Sequence, residues 1–206
     1  MSTATKILLG VIGAFVLIGL AIVLWAVGSY NSLVTLQQAT DRQWAQVENV
    51  YQRRADLIPN LVNTVAGAAN FEKSTLTAVT DARASVGRVQ LPANSAPADA
   101  NQLAAFDRAQ GQLGAALYRL LVVSERYPQL TATTNFRDLQ AQLEGTENRI
   151  SVERGRFNET VQDYDTAIRR FHGVVIAGMF GFANRPYFAA AAGAETAPKV
   201  DFGGKF

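Results

Sequence analysis

The hydrophobic and polar positions of this chain fall into three regimes: one unbroken apolar stretch, a long region of helical periodicity, and a second, shorter apolar run near the C-terminus. From Ile7 to Val27 the chain reads ILLGVIGAFVLIGLAIVLWAV, with no charged, Asn, Gln, Ser or Thr side chain. At 1.5 Å per residue this stretch makes about 32 Å of helix, the thickness of a bilayer's hydrocarbon layer. The apolar region of a cleaved signal peptide is shorter, about 7 to 15 residues. The small residues that follow, Val27-Gly28-Ser29, offer only a weak cleavage-like patch, so residues 7–27 are expected to be a retained transmembrane helix behind a short tail, 1–6. Trp25 and Tyr30 stand near its distal end, where amphipathic aromatics favour the headgroup layer.

From Tyr30 to about Arg88, Trp44, Tyr51, Ile58 and Val65 recur every seven residues with Val47 and Leu61 between them, which is one face of a helix. Pro59 interrupts this face. A proline inside a helix removes a hydrogen bond and biases its predecessor towards extended backbone, so a kink or break near Ile58 is expected, giving two helical arms. LPANSAPADANQ, 91–102, is a loop by composition, with Asp99 or Asn101 available as a cap for the next helix, about Asp99 to Arg126. That helix carries Leu103, Phe106, Leu113, Leu117 and Leu120, and Tyr127-Pro128 ends it. After the connector QLTATTN, Phe136, Leu143, Ile150, Phe157, Tyr164 and Phe171 recur every seven residues. Phe and Tyr are large for a two-stranded coiled-coil seam and suit the inside of a bundle. The fold expected is all-α: the transmembrane helix, then an antiparallel, up-and-down four-helix-type bundle over 28–173. With no proline between Trp25 and Trp44, the membrane helix is expected to continue directly into the bundle.

Polar residues on these seams form a second layer of pattern. Arg54 falls on the apolar stripe of the first arm, with Asp56 beside it, and Glu147 and Glu153 lie at or near the matching positions of the last helix. A cation and carboxylates on facing seams predict a structural polar layer inside the bundle. A kink at Pro59 that rotates these groups to the surface is the alternative, and there each pair contributes only about 0 to 1 kcal/mol.

The segment 174–206 begins within an apolar run, GVVIAGMFGF at 173–182, too short to span a bilayer. Two readings are open. Val174 to Phe182 either cap the open end of the bundle, or Val174, Ile176, Met179, Phe180 and Phe182 form an adaptable apolar surface that touches lipid or a neighbouring subunit.

Composition and charge narrow the chemistry. The 19 Lys and Arg and 17 Asp and Glu are interspersed, as in RQWAQVENVYQRRAD, whereas a nucleic-acid binder concentrates its cations on one face. Lys6 and the chain amine precede the apolar helix, and Asp41 and Arg42 after it cancel. The positive-inside rule therefore favours a cytoplasmic N-terminus with the large domain outside. There is no cysteine, so disulfides and thiolate chemistry are absent. A carboxylate-bridged dimetal bundle needs two Glu-x-x-His motifs, and the one histidine, His172, has no glutamate three residues before it. His172 reads as the end of a helix, where positive charge is favourable. No Walker loop, dinucleotide fingerprint or Gly-x-Ser-x-Gly is present, so no catalytic residue, metal or cofactor is assigned.

Three blocks carry a family likeness: YNSLVTLQQATDRQWAQVENVYQRRADLIPNLVNTV, RYPQLTATTNFRDLQAQLEGTENRISVERGRFNETVQDYDTAIRRF and the terminal PKVDF. In their order they resemble the bacterial LemA family, with RRADLIPNLV and EGTENRI the most specific segments. The resemblance implies an N-terminal membrane helix and an antiparallel bundle and supplies no activity. It also carries an outer N-terminus, opposite to the charge count. Phe157-Asn158 and Tyr164-Asp165 stand where the family tends to show Tyr-Asn pairs, and His172 where it often has proline, departures that bear on local packing and the last turn.

The functional expectation is a non-enzymatic, single-pass scaffold or assembly protein of the bacterial inner membrane, its large domain on the periplasmic side. Its partners would be the bilayer, further copies of itself or other membrane proteins, with no nucleic acid and no small-molecule substrate. Gly10 and Ala14 form one small-xxx-small pair that would let two membrane helices approach. The alternative is a signalling or accessory subunit that relays a state through Pro59, and a hydrolase acting on lipid or peptidoglycan is the third reading.

Overall fold

The computed structural model describes residues 3–68, 71–93 and 95–189. The dominant element is α1, Thr3–Ala66, a single helix that carries the apolar span and then the first wall of the bundle. Past residue 32 its buried positions are Leu33, Thr40, Trp44, Val47, Tyr51, Arg54, Ile58, Leu61 and Val65. From Thr40 onward they alternate steps of four and three, the spacing that keeps one stripe of a straight helix against its neighbours. Pro59 does not divide α1, contrary to the expectation of two arms. The break falls instead after Ala66, where Gly67 ends the helix, and α2 follows at Lys73–Val86.

A long connection leads to α3, Ala100–Ser124, whose N-cap Asp99 accepts a hydrogen bond from the Asn101 backbone N–H. The connector before the last long helix contains one helical turn, α4, Pro128–Thr131. Thr133 caps the N-terminus of α5, Thr134–Arg169, accepting from the Phe136 N–H. At Arg170 the backbone is extended, with ψ 152°, and a short α6, Phe171–Phe180, departs in a new direction. Here the seven-residue seam fails. Phe136 through Tyr164 are buried, whereas Phe171 is 90% exposed, because the bend at Arg170 takes it off the face that the rest of α5 presents.

Cross-helix contacts set the directions. Thr40 meets Thr160 and Arg54 meets Glu147, so α5 runs antiparallel to α1. Tyr51 meets Phe106 and Arg54 meets Gln110, so α3 runs parallel to α1, while Arg83 of α2 reaches back to Ala55. The result is an up-and-down four-helix bundle, with α5 packed along α1 and α2 along α3.

The core is three clusters stacked along the bundle axis. Leu33, Tyr164, Ile168, Ile176 and Ala177 fill the end next to the apolar span. An aromatic cluster around Trp44, Tyr51, Phe106 and Phe157 fills the middle, and aliphatic residues including Ile58, Leu61, Leu113 and Leu143 fill the far end. Trp44 stands edge-on to Phe106 and Phe157 with ring centroids 5.4 Å apart in each case, a geometry worth about 0.5 to 1.5 kcal/mol per pair beyond area burial. Between the clusters lie the polar groups described next.

Candidate functional site

The boundary between the middle and far clusters is built on Arg54. Its side chain is only 4% exposed, placed inward by the stripe of α1 on which it falls. Nη1 donates to Glu147 Oε1 at 2.7 Å, and Nη2 donates to the Gln110 side-chain oxygen and, at 3.1 Å, to the Gln110 carbonyl. The guanidinium also lies 5.1 Å from the Tyr51 ring centroid, and Gly114 on α3 stands beside it. Nε has no partner among the described residues. Glu147 is half-exposed, so one end of this pair is solvated while the other is buried. That asymmetry reduces the desolvation cost that a fully buried ion pair carries.

Of the four residues expected in one polar layer, the structure brings together Arg54 and Glu147. Asp56 stands two residues from Arg54, about 200° around the helix, and turns to solvent, where it accepts from Gln52 at 2.7 Å. Glu153 lies six residues, about 9 Å, along α5 from Glu147. It pairs with Gln43 of α1 at 2.7 Å and with Arg156 at 2.8 Å, and so forms a separate rung. Sequence reasoning misses Gln110, since a glutamine on a helix face carries no sign of the arginine it faces across the bundle.

A second polar boundary separates the middle cluster from the span-proximal one, and its key residue comes from the C-terminal segment. Asp41 on α1 accepts from the Ala96 N–H at 2.8 Å. Arg185 donates to the Ala96 carbonyl at 2.6 Å and lies 3.8 Å from the Asp41 carboxylate, with both side chains nearly buried. The Arg185 backbone N–H donates to Asp165 at 3.1 Å. Three residues on, Asn158 forms a pair of 2.9 Å hydrogen bonds with the backbone of Phe188, whose ring stacks on Trp44 and packs against Phe157. Residues 182–189 therefore strap α1, α5 and the α2–α3 connection together. The signal for this was present: Arg185 is the only Asp, Glu, Lys or Arg between Arg170 and Glu195, and an isolated charge in an apolar stretch calls for a partner.

The span-proximal end is shaped by α6. Its inner residues Gly173, Ile176 and Ala177 are buried against Leu33, Tyr164 and Ile168. Ile176 is thus a core residue and no part of an outer apolar surface, while Val174, Met179 and Phe180 are exposed and Phe182 is half-buried against the Tyr30 ring. A Cβ at Gly173 would overlap the Ala167 carbonyl oxygen, so only glycine lets α6 fold back this tightly on α5. Gly181, with φ +75°, ends α6 in the left-handed conformation. His172 lies in the first turn of α6, rather than at a helix C-terminus as expected, and its ring sits 6.2 Å from that of Trp25. Between α1, α5 and this turn lies a cleft of about 540 Å³ bordered by Trp25, Ser29, Ser32, Asp163, Arg170 and His172. Among the described residues, no group of three His, Cys, Asp or Glu is placed to hold a metal ion.

A helix long and apolar enough to cross a membrane, passing without interruption into an up-and-down bundle, defines an all-helical protein built on one N-terminal apolar helix. The chain belongs to the LemA family, whose model matches residues 43–202. It is similar to the magnetosome protein MamQ of Magnetospirillum gryphiswaldense, at 27% identity over 175 residues covering 77% of this chain and 64% of that protein. Similarity to magnetosome proteins MamQ 1 and MamQ 2 of Paramagnetospirillum magneticum is 26% over 174 residues, with the same coverage. The chain thus spans less than two thirds of the length of these relatives.

Proposed function

We propose that this chain is a membrane-anchored, non-enzymatic scaffold or assembly protein that presents its helical bundle at a fixed attitude to the bilayer and associates there with copies of itself or with other membrane proteins. The observation that carries this reading is the continuity of α1. The window of greatest apolarity and the seam from Leu33 to Val65 belong to one 64-residue helix, so no flexible linker separates anchor from bundle. A rigid connection is what a scaffold needs, because it fixes where each surface of the bundle stands relative to lipid. Two of the polar pairs inside the bundle, Arg54–Glu147 and Asp41–Arg185, hold separate segments together. The names of the relatives assign them to the magnetosome and specify no reaction. In this reading the helix crosses the bacterial inner membrane once, and the charge at Lys6 favours a bundle on the outer side.

Native mass spectrometry of the full chain in nanodiscs tests the proposal. Oligomers or co-purifying membrane proteins are the expected result, and a strictly monomeric chain that retains no partner would count against it. Protease accessibility of the bundle in spheroplasts against inverted vesicles tests the orientation.

A further inference from the structure

Helix α6 presents an exposed outer face that is apolar throughout. Phe171, Val174, Val175, Gly178 and Met179 follow the i, i+3, i+4, i+7, i+8 spacing of one helix stripe, directly opposite the buried Gly173, Ile176 and Ala177. All five are exposed, with Phe171 at 90% and Met179 at 71%. The outer face of α5, by contrast, carries Arg137, Asp138, Glu144 and Arg149. Between Phe171 and Phe180 there is no Asp, Glu, Lys or Arg.

The position of this face names its occupant. His172 touches Trp25, which lies in the last turn of the apolar span, and Phe180 packs on Tyr30 with ring centroids 4.8 Å apart. Trp25 and Tyr30 are five residues apart on α1, about 7.5 Å along its axis. The first turn of α6 is therefore level with the end of the span and its last turn with Tyr30, so the helix and its apolar stripe stand obliquely at the height where α1 leaves the apolar segment. Exposed Arg169 and Arg170 stand at its start, where long side chains reach the headgroup layer while their stems stay in apolar surroundings. Gly173 and the Arg170 bend fix the helix in this attitude.

We infer that α6 is an interfacial helix, seated through Phe171, Val174, Val175 and Met179 in the headgroup–acyl boundary of the leaflet from which α1 emerges. The inference rests on the reading of α1 as a membrane anchor and deepens it: anchor and interfacial helix together make two contacts with the same leaflet, which sets the tilt and rotation of the bundle as one contact cannot. Free amphipathic helices at an interface bury their apolar face about 5 to 10 Å into the boundary; α6 differs in that the face opposite its exposed stripe is packed on the bundle instead of being polar.

The natural absence of cysteine makes the test direct. Single substitutions Phe15→Cys, Val175→Cys, Met179→Cys and Arg137→Cys, each carrying an environment-sensitive fluorophore, are placed in the full chain in phosphatidylcholine–phosphatidylglycerol nanodiscs with nitroxide at a shallow or a deep acyl position. Val175 and Met179 should be quenched by the shallow nitroxide several-fold more than Arg137, and Phe15 chiefly by the deep one. Quenching at Phe15 with none at Val175 and Met179 overturns the interfacial helix and leaves the anchor standing. The same result accompanied by disulfide cross-linking between chains of the unlabelled Met179→Cys variant under an added oxidant overturns it in favour of a second copy. Absence of quenching at Phe15 removes both readings. Two reporters on the same exposed stripe guard against one variant misfolding.

Discussion

Arg83 Nε donates a hydrogen bond to the backbone carbonyl of Ala55, at 3.1 Å. Ala55 is the residue four before Pro59, so its carbonyl is the one from which the proline withholds the usual helical N–H. A side chain from α2 supplies the missing donor and α1 continues. The double-mutant cycle follows. Arg83→Ala should destabilise the bundle by about 1 kcal/mol, the net value of one such hydrogen bond. In a Pro59→Ala background, where the substituted residue brings its own N–H, the same change should cost distinctly less. Denaturant unfolding of the detergent-solubilised chain, followed by helical circular dichroism, measures the coupling, and strict additivity would show that Arg83 does not act through Ala55.

Glu147 and Arg54 should respond unequally to substitution. Glu147→Ala leaves the buried guanidinium hydrogen-bonded to Gln110 alone and is expected to cost about 1.5 to 3 kcal/mol, the range for a hydrogen bond to a charged group. Arg54→Met removes the buried cation itself and leaves behind the half-exposed Glu147 carboxylate, which water solvates, so that only the Gln110 acceptors lose a buried donor. Arg54→Met should therefore cost less than Glu147→Ala, a ranking that thermal unfolding of the two variants decides.

Gly173→Ala should loosen the α5–α6 corner. The new methyl overlaps the Ala167 carbonyl, and overpacking of this kind costs about 1 to 3 kcal/mol. Local opening rises by roughly 5- to 150-fold on that scale. Trypsin should cut after Arg169 and Arg170 correspondingly faster while the bundle's helix content holds. Unchanged cleavage would mean that the corner accommodates a side chain.

Asn158 is matched to Phe188 by its amide, which both donates to and accepts from the same backbone. Asn158→Asp keeps the shape but replaces the donor with an acceptor that faces the Phe188 carbonyl. It should release the strap more than Asn158→Ala does, by about 1 kcal/mol or more. Hydrogen exchange at the Phe188 amide reads the release directly.

Burial raises the Glu48 carboxyl above its ordinary value. The folded chain thus holds this proton more tightly than the unfolded one, and the stability contribution is lost as pH rises through the folded value. Glu48→Gln should raise the thermal midpoint at pH 7 and have little effect at pH values below the ordinary carboxylate range. A benefit that persists equally at low pH would place its cause elsewhere.

What the sequence determined by itself is whatever depends on periodicity along one helix. The apolar length of 7–27, the stripe from Trp44 to Val65 on which Arg54 falls, and a cap at Asp99 or Asn101 follow from spacing and local chemistry, which any isolated segment already contains; that Arg54 stays inward and that Asp99 is the cap are decided by the structure. The tertiary structure decided the rest because each remaining feature depends on a partner distant in the chain. Pro59 reads as a break until Arg83 supplies a donor from another helix. Phe171 continues a seven-residue seam until the fold turns at Arg170 and Gly173 docks against Ala167. Asp56 and Glu153 differ from Glu147 only by rotation and rise, which matter once α1 and α5 are set side by side. Arg185 finds Asp41 far back along the chain, a pairing that hydrophobic pattern cannot encode because it links a loop to a helix face. The apolar run at 171–180 was visible as an anomaly, but only its place beside Trp25 and Tyr30 turned that anomaly into a surface level with the membrane anchor.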